Sequence, residues 1–145
     1  MKSYEVAVNK IWSKGVVNLP KNIEVLIKND LIKILPKLRL AIVKGFFEDA
    51  LDEHLPGGLK ASLVHIDCDL YSSAKYVLEK LIEKELLQDG CVSMFDDFNC
   101  NMASPYYGER LALCEILGAK ESKYFYSELF SYGWHGRAFF IHEKC

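Results

Sequence analysis

The chain has 145 residues, half of them hydrophobic and 26% charged, with a formal net charge of −2. That length suits one domain with a substantial core and is short for two, and no apolar run reaches the roughly 20 residues of a membrane span. The N-terminus lacks the apolar core of a signal peptide, so a cytoplasmic protein is expected, and five cysteines without CxxC spacing fit reduced thiols better than a disulfide frame or a zinc site.

Residues 1–36 form a basic segment with little pattern. Up to residue 44 there are nine lysines and arginines against three acids, whereas residues 45–145 hold nine against seventeen. The basic stretch reads as a solvated face. It lacks aromatic platforms for bases, so a nucleic-acid partner is not expected. Ile23–Ile27 reads as a short strand and Asp30–Leu35 as a helical turn stopped before Pro36. "LRLAIVKGFF", from Leu38, reads as a strand breaking at Gly45, and "EDALDEHL" as a short helix ended by Pro56-Gly57-Gly58.

"ASLVHI" (61–66) is a second strand, apolar almost throughout, as expected where both sheet faces are covered. Ser72 or Ser73 then caps a helix with Val77, Leu78, Leu81 and Ile82 at helical spacing, running to about Leu87 and closed by Asp89-Gly90. "CVSMF" (91–95) is the next strand. A loop containing Pro105 leads to a helix over Glu109–Leu117, and residues 124–143 read as two antiparallel strands around Gly133 and Gly136. Strand and helix alternate before a closing hairpin, which predicts an α/β open sheet.

Two aspartates end each of the two clearest strands: Asp67 and Asp69 in "HIDCDLYSS", Asp96 and Asp97 in "FDDF". Ligands of such sheets bind at the carboxyl ends of the strands. Neighbouring strands lie about 4.8 Å apart, and two unit charges 4 Å apart repel by roughly 4 kcal/mol at an effective dielectric of 20. An aspartate pair after a strand also serves as a turn or helix cap. The repetition at two strand ends favours a divalent cation, and carboxylates without Cys or His suit magnesium better than zinc. Phosphatases of the haloacid dehalogenase type and sugar-nucleotide glycosyltransferases also use DxD, but neither accounts for "FDDF".

In this order, "VKGFFEDALDEHL", "LVHIDCDLYSSAKYVLEKL", "GCVSMFDDFN", "YGERLALCEI" and the closing "FSYGWHGRAFF" resemble the macrocin-type O-methyltransferases, a family of class I, Rossmann-like enzymes that use S-adenosyl-L-methionine. The resemblance covers 37–145, read as the C-terminal part of a methyltransferase domain. It implies Mg2+ held by Asp67, Asp96 and Asp97, with Asp69 as general base for a hydroxyl of a sugar or similar small molecule. It also implies that Gly45, Phe46 and Phe47 border the adenosine, although core packing is the competing job for the two phenylalanines. Tyr71 and Trp134 are aromatic candidates for a substrate wall, with core packing as the alternative. His65 and His135 read as hydrogen-bonded structural histidines, and Cys68 has no basic partner to activate it.

The chain departs from that family in one respect. Gly15 is the only glycine before Gly45, whereas the family needs a Gly-rich turn after its first strand so that backbone amides can approach the cofactor. In the family's strand order, 3-2-1-4-5-7-6, the absence of strands 1 and 2 leaves "LRLAIVKGF" without a neighbour and "ASLVHI" as an open edge. A truncated sheet is therefore expected, as in a fragment of a longer product; a substitute strand from residues 1–36, or a second chain at that edge, a homo-oligomer included, are the alternatives. A non-catalytic remnant or partner subunit is the alternative function.

Overall fold

The computed structural model describes residues 22–34, 40–55 and 57–145. The chain separates into two compact units, residues 1–46 and 47–145. No helix among the described residues is long and apolar enough to cross a membrane.

In the first unit, helix α1 spans Ile23–Ile34, so the strand expected over Ile23–Ile27 is a helix. The β-branched residues suggested extension, yet Ile23, Leu26, Ile27, Leu31 and Ile34 follow the helical period. Asp30 pairs with Lys33 one turn later at 2.7 Å. The strand expected from Leu38 is also absent from its described part: residues 40–46 take no regular structure, and Ile42, Val43 and Phe46 are exposed. Apolar content alone does not make a strand, which needs a ladder partner for its amides.

The second unit opens with helix α2 (Phe47–His54), followed by strand β1 (Ala61–Ile66), whose bounds are those expected. Helix α3 (Tyr71–Glu83) starts one residue before Ser72, with Leu70 at the N-cap and no side-chain cap. It also stops earlier than expected. Glu85 turns the chain with φ 52°, and strand β2 begins at Leu87 and runs to Phe95. Asp89-Gly90, which reads as a helix stop, lies within β2. Ala61 pairs with Leu87 but Leu63 already pairs with Val92, so the strand bulges there.

A three-residue turn over Asn101–Ala103 precedes helix α4 (Gly108–Ile116), and strands β3 (Tyr124–Tyr132) and β4 (Gly136–Glu143) form the expected hairpin. The described residues are therefore α/β, with four α-helices and one mixed sheet of order β1-β2-β4-β3. β1 and β2 are parallel; β4 is antiparallel to both β2 and β3. Among the described residues β1 is an edge strand, with Leu63 57% exposed.

The core lies between the sheet and the helix pair α3–α4. Ala74, Leu78 and Leu81 of α3 and Ala112 and Leu113 of α4 meet Ile66, Cys91, Phe95, Phe139 and Ile141 of the sheet. Phe95, Phe98 and Phe139 pack ring to ring, with centroids 4.9–6.0 Å apart. This packing anchors the carboxyl ends of β1 and β2, where the aspartates begin.

Candidate functional site

β1 and β2 are parallel neighbours, so their carboxyl ends lie side by side. Their last ladder contact is the Asp96 N–H donating to the Ile66 carbonyl at 3.0 Å. Beyond it the two chains diverge into loops. Leu70 N–H returns to the Cys68 carbonyl at 2.5 Å, making a tight three-residue turn centred on Asp69. Asp69 has φ 55°, which an aspartate tolerates better than most residues. This turn swings Asp69 beside Asp67.

Carboxylate oxygens of Asp67, Asp69 and Asp97 lie within 4.8 Å of one another, with Asp67 and Asp69 exposed and Asp97 half-buried. Asp69 and Asp97 share a hydrogen bond. That bond, burial and the charges of Asp97, Asp67 and Asp96 push the Asp69 carboxyl up to about 7. Asp97 moves the other way, lowered chiefly by the same bond and also by Cys100 and His135. One proton is thus held between two carboxylates. Oxygen-only donors, clustered and mutually repelling, fit a hard divalent cation such as magnesium.

The fourth aspartate stands slightly apart. Asp96 lies 3.8 Å from His65 Nε2, which also meets the Tyr132 hydroxyl at 3.4 Å. Tyr132 reaches across because Gly136 has no side chain; a Cβ there would sit 2.5 Å from the tyrosine ring. The structure therefore groups Asp67 and Asp97 with Asp69, and Asp96 with His65.

The other sequence candidates are dispersed. Gly45 and Phe46 belong to the first unit, and Phe47 opens α2; the two phenylalanines are 52% and 38% exposed. Tyr71 donates to Glu115 at 2.5 Å and receives Lys75, which ties α3 to α4. Trp134 is fully outward in the hairpin turn, and the His135 carbonyl accepts the Asn99 N–H at 3.0 Å. Burial and the neighbouring Glu109 push the Cys68 thiol up to about 12, which removes it as a nucleophile.

The residues that sequence reasoning missed lie at the start of α4. Glu109 is 0% exposed and accepts two backbone N–H bonds, Cys68 to Oε1 and Asp97 to Oε2, each at 3.0 Å. Burial nonetheless pushes its carboxyl up to about 7, against the lowering effect of those two bonds. Arg110 donates to the Ala103 carbonyl at 2.8 Å and stacks its guanidinium over Phe98. The local sequence, a charged pair after a glycine, does not mark either residue as part of the site.

Gly108 has φ +57°, and a Cβ built on it would lie 3.4 Å from both the Asp69 carbonyl and Asn101 Nδ2. Gly108→Ala is expected to cost about 1–2 kcal/mol in denaturant unfolding, from the left-handed backbone alone. Gly57→Ala, where nothing lies within 4 Å and no positive φ is required, should leave the unfolding midpoint within error of the parent.

Comparison with known proteins leaves this geometry to speak for itself: no family model matches the chain, and neither the curated proteins nor the solved structures yield a significant match.

Proposed function

We propose that residues 47–145 form the metal- and acceptor-binding half of a magnesium-dependent O-methyltransferase of the macrocin type, acting on a hydroxyl of a sugar or similar small molecule. The observation that carries this reading is the convergence of Asp67, Asp69 and Asp97 at the adjacent carboxyl ends of β1 and β2. The strand order supports it too. β1-β2-β4-β3 corresponds to the 4-5-7-6 half of the class I methyltransferase sheet, with the antiparallel last strand inserted as in that fold.

A divalent cation bound at the cluster would supply Lewis acidity toward the acceptor hydroxyl. Asp67 and Asp97 hold such an ion in this reading. Asp69, beside Asp67 and Asp97 in the cluster, is the carboxylate that would take the hydroxyl proton.

The methyl donor fits less well. A nucleoside cofactor needs a glycine-rich strand-to-helix turn for its close backbone approach, and no described residue before Phe47 other than Gly45 is a glycine. A second reading follows from the edge: among the described residues β1 has no partner on one side and exposes Leu63, which suits a partner subunit that completes its sheet with another chain, a second copy included.

Calorimetric titration with S-adenosylhomocysteine, with and without magnesium, separates the two readings. Micromolar binding that tightens with magnesium is expected if a full cofactor site is assembled. A folded protein that binds magnesium but no S-adenosylhomocysteine would sink the self-sufficient enzyme and favour the partner subunit.

A further inference from the structure

The "YGER" stretch at the head of α4 has no assigned role in the proposed chemistry, yet it touches both aspartate loops. We propose that Glu109 is a positioning residue that holds these loops at metal-binding spacing by accepting one backbone N–H from each. The proposal rests on the reading of the cluster as a cation site.

The β1–β2 ladder sets the spacing only as far as Ile66 and Asp96. Asp67, Cys68 and Asp69 lie past its end, as does the Asp97 amide. Glu109 takes over there, with one oxygen on the Cys68 amide between Asp67 and Asp69 and the other on the Asp97 amide. A carboxylate is the one side-chain group with two acceptor oxygens and no donor, so no other residue serves both amides equally. A buried carboxylate is costly. Its place in the first turn of α4 offsets part of that cost through the helix dipole.

The residues on either side extend the clamp. A Cβ at Gly108 would lie 3.4 Å from the Asp69 carbonyl, and Arg110 holds the loop after Asp97 through Phe98 and Ala103. One helical turn thereby grips both loops. Glu109 touches neither an acceptor nor an ion in this arrangement; it acts through Asp67, Asp69 and Asp97.

The test uses Glu109→Gln and Glu109→Asp in the full chain at pH 8. Glutamine keeps the shape but turns one acceptor into a donor, so it must repel one loop; aspartate is one methylene short of reaching both. Amide hydrogen exchange at Cys68 and Asp97 is read against amides of β2 and β4, alongside Mg2+ and Mn2+ affinity by calorimetry. The expected result is faster exchange at one or both loop amides with unchanged strand amides, and a loss of about 10- to 100-fold in metal affinity. Metal affinity within twofold of the parent in both variants would overturn the proposal while leaving the cation site intact. Loss of strand protection in both variants would overturn it too, since Glu109 would then serve the fold at large. A parent protein that binds neither metal would instead overturn the cation reading itself, and this proposal with it.

Discussion

Magnesium titrated into the protein is expected to bind with release of a proton, and Asp97→Asn is expected to abolish both signals. Asp69 and Asp97 hold one proton between them, with the Asp69 carboxyl raised to about 7. A divalent cation takes the place of that proton, so affinity should rise with pH through neutrality and level off above about pH 8. Calorimetry in two buffers of different ionisation enthalpy measures the released proton directly. Outer contacts of a metal ligand are worth 10- to 100-fold, so removing Asp97 itself should cost at least about 100-fold. Two further substitutions assign the remaining ligand. Asp69→Asn should weaken binding if the geometric triad holds the ion. Asp96→Asn should do so if the set implied by the family resemblance is right and the carboxylate leaves His65 on binding. Equal magnesium affinity in Asp97→Asn and the parent would refute the site.

Stability of the metal-free protein should fall as pH rises from about 5 to about 8, contrary to the usual behaviour of carboxylates. Both Asp69 and Glu109 have folded-state values near 7, above their unfolded values of 3.8 and 4.5. Below about pH 4 both states are protonated and nothing is lost. Between about pH 4 and pH 7 the folded chain keeps protons that the unfolded chain has released, so each step upward favours unfolding. Above pH 7 the penalty is complete. Asp97, being lowered, acts oppositely, but its contribution is lost only in stronger acid. For the buried Glu109, a rise of between two and three units corresponds to roughly 3 kcal/mol at about 1.4 kcal/mol per unit. Magnesium at about 100 times its dissociation constant should restore about 2.7 kcal/mol. Denaturant midpoints at pH 5 and pH 8, with and without the ion, test this; a midpoint that climbs steadily with pH would refute the raised carboxyls.

The aspartate pairs were legible because each is a local sign, a short acidic stretch at the end of an apolar strand. β1 was read to the residue because its composition, its length and the turn residues around it agree. Elsewhere two local signs competed. Ile23–Ile27 has strand-like residues on helical spacing, and the spacing won. Asp89-Gly90 has the chemistry of a turn, but Leu87 before it already pairs with Ala61. For residues 40–46 the sign was present but no ladder partner lies among the described residues, and a strand is a property of two segments. Glu109 was not legible at all. Nothing in the local text distinguishes one acid among 20, and its partners lie 41 and 12 residues away.

The strand order also bears on how the protein is made. β4 is synthesised after the other three strands, yet it lies between β2 and β3. Until residues 136–143 leave the ribosome, β2 has β1 for a neighbour on one side and nothing of this sheet on the other, and Phe95 lacks Phe139 to pack against. From the completion of β2 until β4 emerges, the nascent chain therefore carries an open edge on β2 and an unfinished apolar layer, the condition in which chains are most prone to misassociate. The hairpin closes fast once complete, because its two strands are joined by three residues. Its insertion beside β2 is then the step that completes the sheet.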